Sequence, residues 1–247
     1  MAIKKENKKT TATAPEPEQE HDVVRKARSF WDQFSKPVMY IGSAIILIIV
    51  GWYAYLNLVK APAEQKANDA VFTIQKSFQQ FASANTDTVK MELAQVCLNG
   101  DGTSNNIGAL KFISKYSGTD AANLCHYYAG ACYLYLKQFD NAISKLKDFS
   151  TGAHQIQSRA YGMMGDAYSE LKKNDDALDY YKKAAAVNEK DEFTSSEYLF
   201  RAGLFAESIG KKKDAIDLLK KIKEKYPLTE KGNDVDRYLA RMGEVNE

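Results

Sequence analysis

The sequence predicts an all-α chain: one N-terminal transmembrane helix, then an α-solenoid of about three full repeats with a partial repeat and capping helices. Composition, one uninterrupted apolar stretch and a recurring Gly–Ala–large pattern point there. The chain has only 5 prolines and 14 glycines in 247 residues, and its many Ala, Leu, Lys and Glu favour helix over sheet. At 45% hydrophobic and 27% charged residues it belongs with folded chains rather than disordered ones. The net charge of +2 comes from the first 37 residues, and the remainder carries equal numbers of acids and bases. That balance offers no electrostatic footprint for nucleic acid.

The apolar stretch runs from Val38 to Val59, VMYIGSAIILIIVGWYAYLNLV, without a charge. A helix of that length spans about 33 Å, enough to cross a hydrocarbon core of about 30 Å. Tyr40 near one end and Trp52, Tyr53 and Tyr55 near the other stand where interfacial aromatics gather. Ala61-Pro62-Ala63 has the small-x-small form of a signal-peptidase site. The preceding tail and the apolar run are both too long for a signal peptide, so an uncleaved anchor is expected. Arg25, Lys26, Arg28 and Lys36 precede the span closely, whereas Lys60 and Lys66 follow it. This bias puts the N-terminus in the cytoplasm and the large domain outside. Residues 1–22 are basic, then Thr/Ala-rich, then Pro/Glu-rich, and have too few large apolar side chains to fold; no binding role is read from them.

Repetition follows the anchor. GACYLYLKQFDNAISKL from Gly130, GDAYSELKKNDDALDYY from Gly165 and GLFAESIGKKKDAIDLL from Gly203 share one pattern. Each opens on Gly, turns through polar residues, and places an alanine (Ala142, Ala177, Ala215) twelve residues on. Four residues later each has a large side chain: Leu146, Tyr181 or Leu219. Two antiparallel helices approach closely only over small residues, and large residues one turn away fill the space left. LKFISKYSGTDAAN (110–123) echoes LKKIKEKYPLTEKGN (219–233), aligning Lys115-Tyr116 with Lys225-Tyr226 and Thr119 with Thr229. The first copy reads as the second helix of a partial repeat. Upstream, Ala70, Val71, Ile74, Phe78 and Phe81 trace a helical apolar face, and Val89, Leu93 and Val96 another. Val235, Tyr238, Leu239 and Met242 mark a closing helix.

The spacing resembles the tetratricopeptide repeat, whose period is about 34 residues. Tyr161, Met164, Gly165, Tyr168, Ala177, Tyr181 and Ala184 fit its consensus in register, and His126 replaces the usual large residue in the first copy. Such arrays present their first helices on a concave side. The positions facing that groove include Tyr127, Ala131 and Tyr135, then Arg159 and Asp166, then Phe200 and Glu207. An aromatic surface with a few charges suits an extended polypeptide or a partner helix. Packing of Tyr127 and Tyr135 against the preceding partial repeat is the other reading. The Lys and Asn side chains that clamp a C-terminal carboxylate in chaperone-binding members are missing.

No catalytic constellation, cofactor site or metal site is expected. His21, His126 and His154 lack metal-like spacing. Asn99-Gly100-Asp101-Gly102 lacks the later ligands of a calcium loop and reads as an interhelical turn. Cys97, Cys125 and Cys132 read as small buried apolar residues. The last two, seven apart on one helix, are about 10 Å apart along its axis, too far for a disulfide; a bridge from Cys97 to either stays open.

LNGDG, KYSGTDAANL, YYAGACYL, FDNAI, YGMMGDAY and YLFRAG, with the anchor before them, resemble the single-span periplasmic repeat proteins that accompany the bacterial Sec translocon, in the version found in Bacteroidota. The resemblance implies partners: the translocation channel, a membrane-anchored periplasmic prolyl-isomerase-like chaperone, and exported polypeptides. The organisation expected is a cytoplasmic, largely disordered tail (1–37), the span (38–59), N-terminal capping helices and partial repeat (60–117), three repeats within 118–228 (about 123–157, 158–192 and 196–228), and a C-terminal cap (229–247). A cell-envelope or division scaffold, or an assembly factor for a membrane enzyme complex, is the alternative. In cells with a permeabilised outer membrane, added protease is expected to digest the domain after the span and spare the tail. Protection of that domain would reverse the topology.

Overall fold

The structure, a computed structural model, describes residues 18–244. The first 17 residues of the expected tail, including much of its basic and Thr/Ala-rich part, lie outside the described residues. Among the described residues there is no strand, and the chain divides into two compact units, residues 1–59 and 60–247.

In the first unit α1 runs Glu18–Tyr55, and a π-helical segment follows at Leu56–Lys60. The helix starts well before the apolar stretch, so the largely disordered tail expected through residue 37 is corrected for residues 18–37. Low burial argues against an independent core, but it does not forbid a helix that grows from one already formed, where no nucleation is needed. Glu, Gln, Arg, Lys and Ala favour that extension, and neither Gly nor Pro occurs between Glu18 and Lys36. Pro37, inside the helix, has no N–H for the carbonyl of Gln33. Among the described residues one helix is long and apolar enough to cross a membrane.

The second unit is a run of paired helices. α2 (Ala61–Ser83) and α3 (Asp87–Asn99) pack on each other, and α4 (Gly108–Lys115) leads into α5. Three hairpins follow: α5 (Asp120–Tyr135) with α6 (Phe139–Lys147), α7 (His154–Glu170) with α8 (Asn174–Ala186), and α9 (Glu192–Ser208) with α10 (Lys212–Lys225). α11 (Glu230–Arg241) closes on α10 and α9. Pro62 stands in the first turn of α2, where a missing N–H removes no intrahelical bond.

Each hairpin is locked in the same way. A Cβ built on Gly130 would lie 2.5 Å from the Leu146 side chain, one on Gly165 2.6 Å from the Tyr181 ring, and one on Gly203 3.2 Å from Leu219. The large residue of each second helix therefore fills the hollow over the first helix's glycine. Ala142, Ala177 and Ala215 are wholly buried beside these contacts. The turns repeat too. Lys137, Lys172 and Gly210 occupy one position in the three hairpins with φ of 59°, 58° and 80°. Each donates its N–H to the carbonyl three residues back, and the next residue reaches five back: Gln138 to Tyr133, Lys173 to Tyr168, Lys211 to Ala206.

The echoed sequence at the two ends of the array has a common purpose. Thr119 and Thr229 are N-caps, of α5 and α11, and each Oγ1 accepts a backbone N–H three residues on at 3.1 Å. Each hydroxyl also donates to the carbonyl of the tyrosine three residues before, Tyr116 or Tyr226. Asn99–Gly102 is indeed an interhelical turn. Asp101 Oδ1 accepts from the backbone N–H and the hydroxyl of Thr103, and these bonds hold its carboxyl below the usual range. Asn106 Nδ2 donates to Ser77 Oγ and ties that turn to α2.

Two hydrophobic cores adjoin. One gathers α2 to α5, with Ile74, Leu98, Phe112 and the three cysteines; the other gathers α5 to α11. Phe78 and Tyr128, stacked at 4.3 Å, touch both. Cys97, Cys125 and Cys132 are free and buried. Burial pushes the Cys125 thiol up to about 12, and contact with Cys97 helps to push Cys132 up as well, so both act as inert packing groups.

Two stability predictions follow from the hairpins. Ala177→Leu overpacks the α7–α8 contact and should cost about 1–3 kcal/mol, whereas Gly152→Ala, with open space around its Cβ, should be neutral. Lys172→Gly removes a side chain from a left-handed turn and should gain about 0.5–1 kcal/mol, while Gly210→Lys should lose a similar amount. Chemical denaturation of the domain after the span reads both; an unchanged midpoint for Ala177→Leu would contradict the register.

Candidate protein-binding site

The residues expected to line a groove fall into two groups. Tyr127 and Phe200 are each only 8% exposed and belong to the core. Tyr127 meets Phe78 edge-on and lies 5.3 Å from Phe149, and Phe200 packs edge-on against Tyr238 at 4.8 Å. Tyr135, half-buried at the end of α5, donates its hydroxyl to Asp87 Oδ1 at 2.9 Å and packs edge-on against Phe81. Lys90 Nζ lies over its ring. The Tyr127 ring thus packs on α2 and on Phe149, and the Tyr135 ring on α2 and α3. Ala131 is half-buried on α5.

The polar members stand on a different surface. Arg159 on α7 is exposed, and its guanidinium reaches the Tyr127 hydroxyl. Burial raises the Tyr127 pKa, and Arg159 opposes that rise. Asp166, half-buried on the same face of α7 two turns further along, accepts from the Tyr181 hydroxyl at 2.7 Å and faces Arg201 at 3.6 Å. The Tyr181 phenol is driven up by burial first and by the Asp166 carboxylate next. Glu207 on α9 pairs with Arg241 on α11.

Neighbours that the sequence reading did not single out complete this surface. Tyr198 of α9 lies in the hollow over Gly162, where a Cβ would come within 2.4 Å of its ring. Arg201 lies over Tyr198, and Arg241 over Tyr238. Lys231 pairs with Glu197 at 3.3 Å and lies over Phe200. One signal could have found them. Asp166 with Arg201, Glu197 with Lys231, and Glu207 with Arg241 each join an acid to a base one repeat later, from one first helix to the next. Their ends are 23–56% exposed, so they orient side chains more than they stabilise the fold.

A separate polar pocket lies at the junction of α4, α5 and the end of α6, lined by Thr119, Asn123, His126, Asp148 and Ser150. Asn123 bonds both ways with the Ser150 backbone, at 2.7 and 3.1 Å. His126 Nδ1 is buried without a hydrogen bond and lies 3.7 Å from Asp148. Burial holds the His126 pKa below its ordinary value against the opposing pull of Asp148, which fits a packed, neutral imidazole. Among the described residues no group of three or more His, Cys, Asp or Glu is placed to hold a metal ion.

Comparison with known families matches the tetratricopeptide repeat at residues 158–191, which cover most of α7 and all of α8, and at residues 197–229, which cover most of α9 and all of α10. No curated protein matches the chain at a significant level. The hairpins locked at Gly165 and Gly203 are therefore tetratricopeptide repeats, set within an all-helical array.

Proposed function

We propose that the domain is a non-catalytic, membrane-tethered docking module that binds protein through the first helices of its hairpins. The observation that carries this reading is the half-exposed band of Arg159, Asp166, Tyr198 and Arg201, which joins α7 to α9 within matched repeats. Repeats of this type suggest protein partners. Guanidinium groups lying over tyrosine rings give area and hydrogen-bond donors at small cost in side-chain freedom, without reading a fixed sequence. An extended polypeptide suits such a band.

In the same proposal the partners are the Sec translocon, a membrane-anchored periplasmic prolyl-isomerase-like chaperone, and exported chains leaving the channel. The support is the sequence resemblance together with an apolar helix ahead of the repeats. The setting would be a bacterial inner membrane, with the N-terminus cytoplasmic and the repeats periplasmic. The buried positions of Tyr127 and Phe200 shift the expected contact from aromatic rings to the polar band.

A photocrosslinking side chain at Arg159 or Glu170, both exposed on α7, is expected to capture channel subunits, chaperone or exported chains in intact membranes. The same probe at Glu224 on the second helix α10 should capture few of these. Capture of division or envelope proteins instead would favour the scaffold alternative. Equal capture from Glu224 would reject the first-helix face.

A further inference from the structure

We propose that residues 24–36 of α1 form an interfacial helix that lies on the surface of an anionic bilayer beside the span. This helix presents unpartnered apolar side chains outside the membrane-spanning stretch. Val24, Phe30 and Trp31 are about 60% exposed and Phe34 41%, and the rings of Phe30 and Phe34 touch at 4.8 Å. At 100° per residue Phe30, Phe34, Ala27, Trp31 and Val24 fall within an arc of roughly 120°. Every charge of the segment lies outside that arc. Arg28 and Lys26 stand about 40° beyond its two edges, and Arg25, Asp32 and Lys36 occupy the far side.

That arrangement is the one a membrane surface selects. The apolar arc sinks among the acyl-chain ends, and cations at its rim reach the headgroups along their apolar stems. Four bases against one acid between Val24 and Pro37 make the polar face of this segment positive, which matches anionic headgroups, while the acids Glu18, Glu20 and Asp22 are confined to the turns before it. The span is on the same helix, so the bilayer is the one partner always within reach. Pro37, which deprives the Gln33 carbonyl of its bond, supplies the place where the helix can turn from the span onto the surface. The proposal does not depend on which leaflet the N-terminus faces.

The test uses the full chain in lipid nanodiscs containing phosphatidylglycerol, with bromine on the upper acyl carbons of the lipid. Trp31→Phe and Trp52→Phe remove the only two tryptophans. A single reporter is then placed by Val24→Trp on the apolar arc or by Ser29→Trp on the polar side. If the helix lies flat, the reporter at 24 is blue-shifted and quenched at least twofold, and the one at 29 is not. In an upright helix position 24 stands about 21 Å outside the hydrocarbon and position 29 about 13 Å. Quenching at neither position, or more at 29 than at 24, would overturn the proposal. So would pairing of this face with a second copy, which shields position 24 from bromine. Lys26→Gln with Arg28→Gln should weaken the quenching at 24; quenching of equal strength in discs of phosphatidylcholine alone would reject the anionic preference. Circular dichroism of each variant confirms that the helix persists.

Discussion

The array depends on one contact made three times: a large side chain from the second helix of a hairpin seated over a glycine of the first. Gly130 with Leu146, Gly165 with Tyr181 and Gly203 with Leu219 leave no room for a β-carbon without movement. This close approach lets alanines at Ala142, Ala177 and Ala215 bury completely, and it sets the angle at which each hairpin meets the next. The turns obey the same geometry, so strongly that two lysines accept a left-handed backbone that glycine takes at the third. Tyr181 adds a second constraint, because its hydroxyl also fixes Asp166 on the neighbouring helix.

From this packing the surface chemistry follows. Once the first helices stand side by side at a fixed spacing, side chains one repeat apart come within reach, and acid–base pairs link α7 to α9 and α9 to α11. Tyr198 and Tyr238 at the same interfaces are half-buried, with an arginine over the face of each ring. The result is a band that is polar at its rim and aromatic beneath, joined to the rigid part of the fold. Binding there needs little ordering of the protein itself.

Much of this is legible in the sequence, because the locking residues recur at fixed intervals. Glycine, alanine and the large residue of each hairpin can be read from spacing alone, and so can the match of Thr119 with Thr229, whose capping role only the structure displays. Burial across repeats is harder to read. Tyr127 and Phe200 occupy positions that face a groove in an idealised array. Here Phe78 of α2 and Tyr238 of α11, from the terminal helices that do not repeat, close over them. The band of Tyr198, Arg201 and Lys231 escapes a reading made one repeat at a time, since its partners are about 35 residues away. The helix at residues 18–37 escapes a burial criterion because it extends one already formed.

The central claim, that the glycine contact sets the packing, is tested most directly by a double-mutant cycle joining Gly165→Ala and Tyr181→Leu, read by denaturation of the domain after the span. In the native background Gly165→Ala should cost about 1–3 kcal/mol, because the ring cannot yield without leaving its hollow. With leucine at 181 the cost should fall by about 1 kcal/mol or more, beyond the roughly 0.5 kcal/mol that independent sites show. An equal cost in both backgrounds would mean that Gly165 and Tyr181 do not constrain each other, and would contradict the account.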